Sequence, residues 1–194
     1  MGHHSTGTDL AARAIGLAPL ALACLAALGC GEEASGPPID DIPCWSGGGE
    51  PSDGEVEIGA GLDAFAPIEE GQDLELHLGT QGLAHFFVNA RINGMATGEG
   101  GDSANLPYTF FGAYLEDGTA VDITECAARI AFSTPTDEGD ALQGGRLLVV
   151  DGPYIEMIQG QRLRIMVEVL DRDGRYASDE RVVIPVVISA ADSP

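Results

Sequence analysis

His77 and His85 stand on the polar parity of two alternating runs, one carrying Leu74, Leu76 and Leu78 and the other Phe86, Val88, Ala90 and Ile92. If the runs pair as neighbouring strands, the two imidazoles come together. They could then seed a Cu or Zn site, with a third ligand from Glu75, Asp73 or a methionine. The plainer reading gives each histidine a structural hydrogen bond on a half-exposed face. A second constellation is acidic: Asp171-Arg172-Asp173-Gly174, followed by Asp179-Glu180, puts four carboxylates on one hairpin. Ca²⁺ takes roughly six to eight oxygens at close range. The calcium-loop spacing fails, because Arg175 stands where a third Asp or Asn belongs and Val182 replaces the closing Glu. Asp-x-Asp-Gly is also ordinary turn chemistry, since Asp bonds its own backbone and Gly takes positive φ.

A serine nucleophile needs a base within hydrogen-bond reach, itself oriented by a third group. Gly101-Asp102-Ser103 resembles the nucleophile block of the GDS-type lipases and esterases. That family has Leu after the Ser and an Asp-x-x-His downstream. Here Ala104 follows, and no His occurs after His85. Thr97–Asn105 reads more simply as a Gly-rich loop, and a hydrolase using Ser103 ranks third among the functions considered. All nine cations are Arg, so there is no P-loop lysine and no Schiff base. No H-E-x-x-H, G-x-S-x-G or N-x-S/T sequon occurs.

The elements that must position these residues are strands. Period-two alternation recurs from about Glu55: in the two runs above, in Leu163–Val169, and at Val182, Ile184, Val186 and Ile188, each with its apolar side turned inward. Pro185 marks the last of these as an edge or bulged strand. Asp117-Gly118 predicts a hairpin between Tyr108–Leu115 and Thr119–Thr124. Asp173-Gly174 joins the strand ending at Leu170 to one starting near Arg181, and Asp151-Gly152-Pro153 breaks the chain after Leu147–Val150. No long window carries helical periodicity with caps. Seven to nine short strands predict an all-β fold, an antiparallel sandwich. Over residues 55–191 the strand spacing resembles the immunoglobulin-like or fibronectin-like modules of bacterial surface proteins. The antibody-type Cys…Trp…Cys arrangement is absent, because Trp45 adjoins Cys44. Three aromatics on exposed parity or in the tether, Trp45, Phe87 and Phe111, are the candidates for a partner surface.

The chain opens differently. Arg13 is the one cation before an uncharged run from Ala14 to Gly29, which ends Leu25-Ala26-Ala27-Leu28-Gly29-Cys30. At 16 residues it falls short of the roughly 20 that a spanning helix needs, and it has the build of a secretory signal. With a Cys directly after the Gly, it resembles the lipobox of bacterial lipoproteins. The family prefers Leu three positions before the Cys, where Ala27 stands, and Cys24 is a rival site. The resemblance implies that residues 1–29 are a signal peptide and that Cys30 is lipidated as the mature N-terminus. Gly31, a residue other than Asp after the Cys, implies outer-membrane sorting. An ordinary signal peptide or an N-terminal anchor helix is the alternative. With Cys24 removed and Cys30 acylated, Cys44 and Cys126 remain. In an exported chain they are expected to form one disulfide, worth about 4 kcal/mol in the chain-entropy model. A metal pair with the few histidines is the other possibility. Cys126 shares the parity of Ala128, Ile130 and Phe132, which predicts that it points inward. Residues 30–54, with Pro37-Pro38, Asp40-Asp41 and Gly47-Gly48-Gly49, read as a flexible acidic tether that Cys44-Trp45 interrupts. If Cys44 bonds Cys126, its latter half is stitched onto the domain and Trp45 covers a core edge; otherwise Trp45 is an exposed aromatic.

The formal charge of −22 repels nucleic acid and anionic lipid. Its plain consequence is solubility; its sharper one is weak attraction for Ca²⁺ or basic ligands. The function expected is non-catalytic: a lipid-anchored cell-envelope protein whose sandwich binds a partner or does structural work. A metal-binding envelope module using Ca or Cu/Zn is the alternative. The expected partners are the membrane, through the lipid, and another envelope protein or a surface ligand. No cofactor is expected.

Overall fold

The structure is a computed structural model that describes residues 45, 47–79, 82–98, 102–142 and 144–188. All of them belong to one compact unit, Glu33–Pro194. The signal segment, Cys24, Cys30, Cys44, the first part of the tether and residues 189–191 lie outside the described residues. No helix among the described residues is long and apolar enough to cross a membrane.

The fold is all-β. Its strands are β1 (Glu55–Ala60), β2 (Ala66–Pro67), β3 (Asp73–Leu78), β4 (Ala84–Asn93), β5 (Tyr108–Tyr114), β6 (Ala128–Arg129), β7 (Phe132–Thr136), β8 (Gly139–Leu142), β9 (Arg146–Val150), β10 (Leu163–Leu170) and β11 (Tyr176–Ile188). The only helical pieces among the described residues are 3-10 turns at Ser103–Asn105 and Gly152–Tyr154. Eleven strands exceed the seven to nine expected, and two of the eleven are only two residues long.

The strands form one continuous curled sheet, and two of them organise it. β4 is flanked on one edge by β1 and β3 and on the other by β8 and β9, at different heights. β11 spans both halves of the sheet. Its first part, Tyr176–Val183, pairs antiparallel with β10, which in turn pairs with β5, and its last part, Ile184–Ile188, pairs parallel with β3. The sheet is therefore mixed, which corrects the antiparallel expectation. The chain alternation of β3 and β11 is the same in either direction, so pattern alone does not reveal relative direction.

The inward faces close over one core. Leu74, Leu76, Phe86, Val88, Ile92, Leu163, Ile165 and Val167 are all buried in it, as their alternation predicted. β11 departs from expectation. Val183 and Pro185 are buried while Val186 is 39 % exposed, so the inward parity is the opposite of the one assigned. Residues 182–188 are apolar on both parities, which leaves the face undecided until β10 and β3 set the register. Pro185 sits at a local edge. Ile184 donates its N–H to the Gln72 carbonyl on the β3 side, so the donor that Pro185 lacks would face the other side. There β10 has already ended, at Leu163 opposite Val183.

Turn chemistry is local and holds. Asp117 accepts from the Thr119 N–H, which closes the Asp117-Gly118 hairpin, and Leu115 and Thr119 bond across it. That hydrogen bond is the main reason the Asp117 carboxyl lies below its ordinary value.

Candidate functional site

The two histidines are cross-strand neighbours. β3 and β4 pair with His77 directly opposite His85, and the rings stack with centroids 6.0 Å apart. Phe87, two residues along the same face, lies 4.6 Å from His77 and 4.9 Å from His85, centroid to centroid. All three are half-buried. The Glu75 carboxylate stands 3.2 Å from His77 Nε2. Burial holds His85 below the ordinary imidazole value, with His77 adding to the effect. Leu147, half exposed at 53 %, lies opposite Phe87 on β9, and exposed Val186 lies opposite Glu75 on β11. An aromatic and aliphatic band thus crosses four strands on the outer face of the sheet. No group of three potential metal ligands gathers among the described residues. The pair and Glu75 are close, but the arrangement is an aromatic cluster rather than a coordination sphere.

The acidic hairpin does not converge on a cation. Asp171 is buried and accepts hydrogen bonds from the backbone N–H groups of Ala96, Asp173 and Arg175 at 2.8–2.9 Å, with the Arg175 guanidinium 3.5 Å away. Asp173 pairs with Arg175 at 2.7 Å. Asp179 accepts from Ile58 N–H of β1 and pairs with Arg181, while Glu180 pairs with Arg164 at 3.1 Å. Each of the four carboxylates serves backbone or arginine, in turn and edge capping. Ser103 opens a 3-10 turn whose N-cap is Asp102, and the Ser103 carbonyl accepts from Arg129. Ser103 lies before β5, whereas both histidines stand on β3 and β4.

The described part of the tether, Trp45 and residues 47–54, forms a strap over the outer face of β5, β10 and β11. Trp45 packs edge-on against Tyr108 and Tyr176, at 6.2 and 6.3 Å. Its carbonyl accepts from Ala127 N–H and its indole donates to the Gly48 carbonyl. Gly48 N–H donates to the buried Glu168 carboxylate at 3.0 Å, and the Tyr176 hydroxyl donates to the same oxygen. Burial and this bond raise the Tyr176 phenol. Ser52 exchanges hydrogen bonds with the Tyr176 backbone. The glycines serve close approach: Gly47 has φ +95°, and a Cβ there would land on the Glu168 carboxylate. Trp45 is therefore half-buried beneath its own strap rather than a free contact point.

Two other expectations change. Phe111 is buried in the core opposite Val167, not exposed. Tyr108–Ala113 is buried on both parities, because the core takes one face and Trp45 and the strap lie against the other. Cys126 lies in the bend before β6 and is exposed rather than inward-pointing. Glu168 and Asp179 had no signal as fastening residues; their role depends on backbone groups more than a hundred positions away. Neither a family model nor a curated protein matches the chain.

Proposed function

We propose that the protein is a non-catalytic, lipid-anchored envelope protein. It is acylated at Cys30, and its immunoglobulin-like β-sandwich presents the outer face of β3, β4 and β9 to a partner. The carrying observation is the half-exposed cluster of His77, His85 and Phe87, bordered by exposed Leu147 and Val186. Contiguous apolar surface of this kind marks interaction sites. The outer face of β5, β10 and β11 carries the described part of the chain's own strap, whereas no strap of described residues covers that of β3, β4 and β9. The −22 charge disfavours nucleic acid and anionic lipid as that partner. Sorting to the outer membrane rests on Gly31, and anchoring by more than one acyl chain is stable.

A Cys44–Cys126 disulfide belongs to this reading. Its support is the bond from Ala127 N–H to the Trp45 carbonyl at 2.8 Å, between the immediate neighbours of the two cysteines, and Cys126 is not free. The test has two arms. Fractionation should find the chain with membranes and a Cys30→Ala variant in the soluble fraction; a variant that still partitions with lipid rejects the anchor. Crosslinking in native envelopes should recover a partner that Phe87→Ala loses; capture unaffected by Phe87→Ala rejects this face.

A further inference from the structure

β1 and β3 share one edge of β4 without meeting. β1 stops at Ala60 opposite Val88, and β3 pairs only at His85 and Ala84. Between them opens a cleft of about 340 Å³, with Phe87 and His77 among its walls. Ala64 and Ala66 line it on the β2 side and leave room beside the ring, while Asp73 and Glu75 line it on the β3 side. No arginine lines it. Asp73 makes no ion pair among the described residues, and Glu75 has only the imidazole of His77. Arg91, on the same face of β4, is occupied by Glu57 and Glu138 and lies over the Phe65 ring.

We infer that this cleft binds an organic cation, a primary or quaternary alkylammonium group. Three features select it. Two carboxylates at one wall of a molecule with a −22 charge make the potential at the cleft negative. Phe87 offers an aromatic face, to which ammonium is attracted, and His77 stands 4.6 Å from that ring, centroid to centroid. The alanine wall accommodates alkyl carbon and offers no donor for an anion. A hard metal ion is poorly served, because no third ligand of the usual kind gathers there among the described residues. The cleft holds a group of lysine-side-chain size, at the small end of ligand sites. The inference rests on the reading of this outer face as the binding face, and it names the chemistry that the face takes.

The full chain in neutral detergent is titrated with n-butylammonium chloride and with tetramethylammonium chloride, followed by NMR shifts of the His77, His85 and Phe87 signals. Sodium chloride at equal ionic strength and n-butanol are the controls. Saturable shifts are expected with the ammonium ions alone. The Asp73→Asn/Glu75→Gln double variant should weaken binding about tenfold, and Phe87→Leu about threefold, at melting temperatures close to that of the parent. Equal response to n-butanol or sodium chloride, or an unchanged affinity in the double variant, overturns the inference. A blocked Ala-Lys-Ala peptide separates the sources. Tighter binding than n-butylammonium assigns the group to a partner's lysine, weaker binding assigns it to a free amine, and either order upholds the cleft. Absence of binding in a chain that still partitions with membranes and loses its partner on Phe87→Ala rejects the cation and leaves the envelope reading intact.

Discussion

Gly47 shows how a residue type can carry two opposite meanings. In sequence, Gly47-Gly48-Gly49 suits a flexible linker. In the fold, Gly47 at φ +95° and Gly49, whose Cβ would lie 2.6 Å from the Tyr176 ring, let the backbone press onto Glu168 and Tyr176. Gly47→Ala is expected to cost about 1–3 kcal/mol through backbone strain and displacement of the carboxylate. Trp45 is the only tryptophan, so its emission should shift red and its quenching by iodide rise. Unchanged emission would count against the strap. His85 supplies a second test. Its imidazole is held below 6.5, mainly by burial, with His77 beside it and the Glu75 carboxylate beyond. The unfolded chain then binds more protons than the folded one as pH falls through the unfolded value, so stability declines on acidification. The melting temperature should drop as pH falls through the unfolded imidazole value of about 6.5, and His85→Gln should flatten that drop. An equal slope in the variant would show that the loss arises elsewhere.

At the scale of elements, the hairpin joining β10 and β11 is built on Asp171. Its carboxylate satisfies the N–H groups of Asp173 and Arg175 inside the turn and that of Ala96 just after β4. It thereby pins one half of the sheet to the other. Asp171→Ala should destabilise the protein by about 3 kcal/mol in urea unfolding, since it leaves three partly buried backbone donors, those of Ala96, Asp173 and Arg175, without their acceptor. Calcium should not restore the loss, and EDTA should not shift the parent's melting temperature; a calcium-dependent shift would revive the metal reading of Asp171, Asp173, Asp179 and Glu180. Much at this scale was legible. β3, β4 and β10 alternate apolar and polar residues, and their faces lie as that alternation dictates. β11 and Tyr108–Tyr114 were not legible, because both of their parities are apolar. Neighbours, not the run itself, decided that Phe111 and Val183 face inward and that Val186 stays exposed.

For the whole molecule, the proposed reading makes a Cys44–Cys126 disulfide and the strap set how the domain would hang from an anchor at Cys30. If Cys44 bonds Cys126, the chain is free only from Gly31 to Pro43, a span of at most about 45 Å when fully extended. Cys126→Ser should then lower stability by about 2–4 kcal/mol and increase the solvent access of Trp45. A variant as stable as the parent, with Trp45 unchanged, would sink the pairing. In that reading one outer face carries the described part of the strap, Trp45 and residues 47–54, and the face with His77, His85 and Phe87 is the one proposed to meet a partner.

The order of residues by itself determined the class of fold, its turns and most of its inward faces. These depend on interactions within a few positions: alternation along a strand, a carboxylate bonding the amide two residues on, a glycine at positive φ. It also placed His77 opposite His85, since only a short turn separates their strands. Tertiary structure alone decided that β11 runs parallel to β3 and that Glu168 and Asp179 fasten distant backbone. Those outcomes depend on contacts between residues roughly a hundred or more positions apart, and no local pattern encodes which distant amide a carboxylate will meet.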